Sequence, residues 1–164
     1  MSEIDAFDRR IMDALSVDGR MTLTRLSRTI GLSVTPCQMR LKRLEARGYI
    51  RGYAAVLDPV KLGRDHISFV QVKLSDTRAP ALKAFNEAVM ELAEVEQCHM
   101  IAGGFDYLLK VRTESMARYR EVMGERISTL PHVSVTSTFV AMEAVKEDVF
   151  HRVSPKSGHR FSDY

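Results

Sequence analysis

The sequence predicts an α+β protein in two parts, a winged helix-turn-helix followed by a ferredoxin-like β-α-β-β-α-β unit. Apolar residues recur at helical spacing three times within the first 50 positions. From Ile67 onward the period alternates between two and 3.6, in the order strand, helix, strand, strand, helix, strand. Charge divides along the same line. Residues 1–64 hold 12 Lys and Arg against 7 Asp and Glu, whereas residues 65–164 hold 12 against 14. A basic first part and a slightly acidic remainder fit a nucleic-acid module joined to a unit with another task. With 45% apolar and 27% charged residues, the 164-residue chain has the makings of a folded core.

Ile4, Phe7, Ile11 and Leu15 form the first helical stripe, which ends near Asp18-Gly19. Leu23, Leu26 and Ile30 form the second, with Thr22 placed to cap it. Gly31-Leu32-Ser33 then predicts a tight turn whose leucine plugs the corner. The third helix has a buried stripe of Val34, Cys37, Leu41 and Leu44. Ser33 or Thr35 can cap it, Pro36 fits only its first turn, and Gly48 supplies a left-handed stop. Residues 1–52 are thus expected to form the DNA-binding part, with the third helix as the major-groove reader. Tyr49–Leu57 has strand propensity, either as a wing or as a linking strand, and residues 53–66 are expected to end in a hinge around Asp58-Pro59.

Segment 33–51 has five basic residues and one Glu. Gln38 and Arg40 suit base edges, because Gln pairs with adenine and Arg with guanine. Lys42, Arg43 and Arg47 suit phosphates, and Ser33 and Thr35 suit a phosphate near the helix start.

In residues 67–148, Ile67–Leu74 alternates as a strand, and Leu82, Phe85, Val89 and Leu92 mark a helix opening near Pro80. Val95–Ala102 and Phe105–Arg112 are strands around a Gly103-Gly104 turn. Met116, Tyr119, Met123 and Ile127 mark a second helix, and Val133–Met142 a last strand. Such a sheet has helices on one face only. Its other face, expected to carry Phe69, Cys98, Met100 and Phe139 or their alternates, needs a cover. A second copy of the sheet is the economical one, so a homodimer is expected.

Cys37 and Cys98 have no CxxC partner and read as small buried hydrophobes. The histidines at 66, 99, 132, 151 and 159 are scattered, and no metal, phosphate-loop or nucleophile–base motif is present, so neither an enzyme nor a bound metal is expected. No apolar run approaches the ~18 residues of a membrane span, and Met1–Arg10 lacks a signal pattern, so a cytoplasmic protein is expected. Residues 149–164, with Arg152, Lys156 and Arg160, read as a frayed tail.

Taken in order, Asp5-Ala6-Phe7-Asp8-Arg9-Arg10-Ile11, Asp18-Gly19-Arg20, Gly31-Leu32-Ser33, Arg40 through Gly52-Tyr53, Leu57-Asp58-Pro59 and Gly103-Gly104-Phe105-Asp106-Tyr107-Leu108-Leu109 resemble the Lrp/AsnC (leucine-responsive, feast/famine) transcription regulators. Thr35-Pro36-Cys37 and Glu96-Gln97-Cys98-His99 are most similar to the leucine-responsive branch, and regulators of proline breakdown are similar as well. The resemblance implies binding of double-stranded DNA, association with the bacterial nucleoid, and activation or repression. It implies pairing through the sheets, assembly toward octamers, and amino-acid effectors bound between subunits. Proline and leucine are the first effectors expected.

On the residues alone, Gly103 to Tyr107 is a hairpin whose glycines take positive φ and whose Asp accepts turn N–H groups. The resemblance makes Gly103, Gly104, Phe105, Asp106 and Tyr107 an effector loop, with Asp106 receiving the ammonium group. It adds Met100, Thr136, Ser137 and Thr138 to the binding set, and Met116, Phe139, Val140 and Ala141 to the residues that tune the response. A nucleoid-organising protein with little effector control is the alternative function.

Overall fold

The computed structural model describes residues 4–147, so the tail read at 149–164 lies outside the described residues. The chain divides into two compact units, one running to Val56 and the other spanning Leu57–Val145.

The first unit is three helices, α1 (Ala6–Val17), α2 (Leu23–Ile30) and α3 (Val34–Ala46). Asp5 starts α1 with a capping box. Its carboxylate accepts the Phe7 and Asp8 N–H groups, while the Asp8 carboxylate accepts the Asp5 N–H. Thr22 caps α2 through the Arg25 N–H. Gly31 ends it at φ 76°, within the expected tight turn, and Gly48 follows α3 at φ 73°, the left-handed stop that the sequence implied there. Ser33 occupies the N-cap position of α3 but makes no side-chain cap bond. Ile11, Leu26, Ile30, Cys37 and Leu44 form the core, with Leu32, Leu41 and Ile50 packed on it. Val34, expected in the buried stripe, is 43% exposed because the helix has only begun at that residue.

Residues 51–58 contain no strand, so neither the wing nor the linking strand expected there forms as a β-element. A strand exists only by pairing with another, and no described strand lies beside this stretch. The segment is anchored locally instead, where the Tyr53 hydroxyl donates to Glu45 Oε1 at 2.9 Å. Partial burial and that carboxylate push the Tyr53 phenol up to about 12. At the expected hinge, Asp58 Oδ1 accepts the Val60 and Lys61 N–H groups, and the chain turns through Gly63.

The second unit has strands β1 (His66–Leu74), β2 (Val95–Met100), β3 (Tyr107–Thr113) and β4 (Val133–Val140). Helices α4 (Ala79–Met90) and α5 (Met116–Val122) connect them, and α5 runs on as one π-helical turn, Met123–Ile127. The order β2-β3-β1-β4, with every neighbouring pair antiparallel, is the ferredoxin-like arrangement. Val70, Val72, Leu74, Leu109 and Val111 meet Phe85, Val89, Tyr119 and Val122 in a core between sheet and helices.

Register fixes which residues share a face. Phe69 pairs Phe139 on the face away from the helices, and both are more than one-third exposed. Cys98 and Met100 pair Leu109 and Tyr107, so they lie on the helix side rather than on the open face expected for them. The bulge between Val95 and Gln97 accounts for the shift. Both cysteines are free thiols.

Candidate nucleic-acid interface and effector loop

The helix-turn-helix presents one outward face of α3. Ser33, Thr35, Gln38 and Lys42 are all exposed there, as the sequence implied. Arg47 is exposed at the C-cap. Arg40 and Arg43 behave differently. Arg40 Nη1 donates to Asp8 Oδ1 at 3.0 Å and also to Asp5 Oδ2, while Arg43 Nη2 donates to both Asp8 oxygens at 2.9 and 2.7 Å. The Arg40 guanidinium additionally sits 5.4 Å from the centre of the Phe7 ring.

These contacts form a clasp between the start of α1 and the middle of α3. Asp8 is 2% exposed, so its charge is held between two guanidinium groups rather than in water. Burial alone would push the Asp8 carboxyl up, but hydrogen bonds from Arg40 and Arg43 outweigh it and hold the group below the ordinary aspartate range. The Asp5 carboxyl is lowered by its hydrogen bond with the Asp8 backbone and by Arg40. Arg40, expected at a base edge, therefore lies on the side of α3 that is bound to α1. Met39, which the sequence reading passed over, is 69% exposed on the outward side.

In the second unit, the Ile101 N–H donates to the Asp106 C=O at 2.8 Å, which closes a turn over residues 102–105. Neither Gly103 nor Gly104 takes a positive φ, contrary to the hairpin geometry expected from the pair. Space is not the reason for glycine either. A Cβ on Gly104 would meet nothing within 4 Å, and one on Gly103 would make only ordinary contact with Ile101 at 3.6 Å. The Asp106 N–H donates to Val72 C=O at 2.9 Å, and its Oδ2 accepts the Leu74 N–H at 2.7 Å. The carboxylate therefore does not do the local turn work expected of it; it bolts the loop to β1 through one oxygen instead. Tyr107 is 2% exposed and stacks on Phe85 at 4.4 Å, so its ring belongs to the core rather than to the loop.

The remaining expected residues fall at two ends of the sheet. Met100 pairs Tyr107 and Thr136 pairs Val72, which places both at the loop end. Phe139 and Val140 pair Phe69 and Ser68, and the Ala141 N–H donates to Ile67 C=O, all at the opposite end. Met116 opens α5 just after β3 finishes, also at that opposite end. At ~3.3 Å per residue, Thr136 and Val140 stand roughly 13 Å apart along one strand. Alternation also separates the three hydroxyls. Thr138 faces the helices and bonds the Tyr119 hydroxyl at 2.6 Å, whereas Ser137 pairs Gln71 on the open face.

On the open face, Glu96 draws in two cations, Lys110 at 3.0 Å and Arg112 at 2.6 Å. Arg112, 4% exposed, also donates to the Arg64 C=O. The β2–β3 half of that face is therefore charged and paired, while the β1–β4 half is apolar around Phe69 and Phe139. Among the described residues, no group of His, Cys, Asp and Glu is placed to hold a metal ion, and no helix is long and apolar enough to cross a membrane.

Known proteins share both units. Residues 4–45 match the AsnC-type helix-turn-helix domain, and residues 67–149 match the Lrp/AsnC ligand binding domain. The chain is 63% identical over 145 residues to a proline dehydrogenase transcriptional activator of Rhizobium radiobacter, covering 88% of this chain and 93% of that protein. It is 43% identical over 145 residues to the leucine-responsive regulatory protein of Escherichia coli K12, covering 88% of each. A transcriptional regulator of Neisseria meningitidis, solved with L-methionine, superposes with a TM-score of 0.83 at 28% identity, covering 90% of this chain and 95% of that one. With both domains matched in order and close relatives across most of its length, the chain belongs to the Lrp/AsnC family of transcription regulators rather than to any class of enzyme.

Proposed function

We propose that this regulator controls genes of proline breakdown in the bacterial cytoplasm, that it binds their DNA through the outward face of α3, and that proline bound between subunits sets its response. The regulatory target is supported by the 63% identity to a relative named for activating proline dehydrogenase transcription. Thr35, Gln38 and Lys42 read or hold the duplex in this account. Arg40 and Arg43 act by setting the angle of α3 against α1.

One observation supports the reading that the effector binds between subunits. The loop residues Gly103 to Asp106 and the response residues Met116, Phe139, Val140 and Ala141 stand at opposite ends of one sheet. A single small ligand reaches both sets only where the loop end of one sheet meets the far end of another. The glycine pair agrees with this reading, because nothing among the described residues requires glycine at either position. Open backbone there lets a carboxylate approach the N–H groups, while Asp106, with one oxygen engaged by Leu74, offers the other to the amino group. Pairing through Phe69 and Phe139 makes the dimer, and loop-to-far-end contacts carry dimers toward an octamer. Proline then acts by binding one assembly state more tightly than another.

A melting-shift screen of the full chain against the twenty amino acids tests the proposal. Proline is expected to raise the transition of the sheet unit, by about 2.7 kcal/mol of stabilisation at one hundred times its Kd. A shift with leucine or methionine and none with proline would overturn the choice of effector. A flat response to all twenty would overturn effector control itself. An anisotropy titration with promoter duplexes, with and without the active amino acid, tests the link to DNA.

A further inference from the structure

The clasp changes which side chains of α3 are placed to read bases. Arg40 is turned toward Asp5 and Asp8, and Arg43 is turned toward Asp8. The exposed face within the first turns of the helix is Thr35, Gln38, Met39 and Lys42. Met39 lies three residues from Lys42 and four from Thr35, so all three share that face. It is 69% exposed and takes no part in the helical core around Ile11 and Leu44. An unbranched thioether with no hydrogen-bond donor has one apolar target among major-groove base edges, the thymine 5-methyl group. The N-terminal turns of a recognition helix are where base contacts occur.

We infer that Met39 is a specificity-determining residue that packs on a thymine 5-methyl group, taking the base-reading place that Arg40 gives up to the clasp. The inference rests on α3 being the DNA-facing helix, as proposed above. Gln38 beside it supplies the hydrogen-bonding contact, and Lys42 a phosphate contact. Arg40 is a positioning residue.

The test uses the full chain and duplexes enriched by cycles of selection from a random 30-base-pair library. In the enriched duplex each thymine is replaced by uracil, which lacks only the 5-methyl group, first singly and then in matched pairs across the two half-sites, and binding is measured by fluorescence anisotropy. With wild type, one thymine in each half-site is expected to respond, with Kd rising about fourfold for one replacement and about fifteenfold for both, the value of one buried methyl group per site. Met39→Ala is expected to bind the parent duplex weaker by the same factor and to treat uracil and thymine alike. Met39→Leu keeps an apolar side chain and is expected to keep the discrimination.

A uracil penalty that survives in Met39→Ala, or no penalty at any thymine in wild type, would overturn the inference while leaving α3 as the reader. If no duplex is enriched over the random library, α3 is not a sequence reader, and both readings fall. A uracil penalty abolished by Arg40→Ala but not by Met39→Ala would return the contact to the arginine.

Discussion

Asp8→Asn is the sharpest probe of how the first unit holds its third helix. The substitution keeps size and one acceptor oxygen but removes the charge facing Arg40 and Arg43. Breaking an ion pair buried on both sides costs about 3–5 kcal/mol. Here Arg40 and Arg43 retain 26% and 36% side-chain exposure, so water recovers part of the loss. The expected cost is therefore about 2 kcal/mol, the range for a hydrogen bond to a charged group. For a unit of this size that corresponds to a fall in melting temperature of roughly 8–16 °C. Circular dichroism of the full chain during thermal and urea unfolding measures it, with the lower transition followed at 222 nm.

The same contact fixes the sign of a pH effect. The folded Asp8 carboxyl lies below its unfolded value, so its contribution is complete above about pH 4 and is lost as pH falls through the folded value. The gap between wild type and Asp8→Asn is therefore expected to be constant from pH 7 down to about pH 4 and to close below that. A variant within about 0.5 kcal/mol of wild type at pH 7 would refute the reasoning, as surface substitutions fall in that range. So would a gap that persists undiminished at the acid end.

Gly31→Ala is expected to cost about 1 kcal/mol in urea unfolding, since φ is 76° and the added methyl meets nothing, and Gly31→Asn to recover part of it. Asp106→Ala strips the Leu74 N–H of its acceptor and is expected to lower sheet-unit stability by about 1–2 kcal/mol. Asp106→Asn keeps that bond, so it is expected to fold near normally yet lose the amino-acid melting shift. Phe139→Asp puts a charge beside Phe69 on the open face and is expected to shift the sedimentation profile to monomer with little change in secondary structure.

Local signals in the sequence placed the elements well, because caps and periodicity act over a few residues. Thr22, Gly31 and Gly48 stand where the helices start or stop for reasons visible in the adjoining side chains. The clasp on Arg40 is not legible in the sequence, because its partners Asp5 and Asp8 are 35 and 32 residues away, and ion pairing at that distance is a tertiary fact. The wing failed for the same reason, since strand propensity in Tyr49–Leu57 says nothing about a neighbour to pair with. Ser137 is a different case. Strict alternation along β4 was already readable, and it separates Ser137 from Thr136 and Thr138 without any coordinates. The exposure of Met39 draws no notice in the sequence, because a lone methionine looks unremarkable until the arginine beside it is turned away.

The two separate cores have a genetic consequence. Ile11, Leu26 and Leu44 lie in the core of the helices, and Val70, Phe85 and Leu109 in that of the sheet unit. A lesion such as Asp8→Asn therefore damages the reader while sparing the surface proposed to join chains. Such an allele, expressed beside the intact gene, is expected to enter mixed assemblies and spoil them, so that the defect is dominant. A lesion in Phe139 is expected to keep the chain from joining its neighbours and so to be recessive. Scoring the two alleles in merodiploid cells reads the independence of the cores as inheritance.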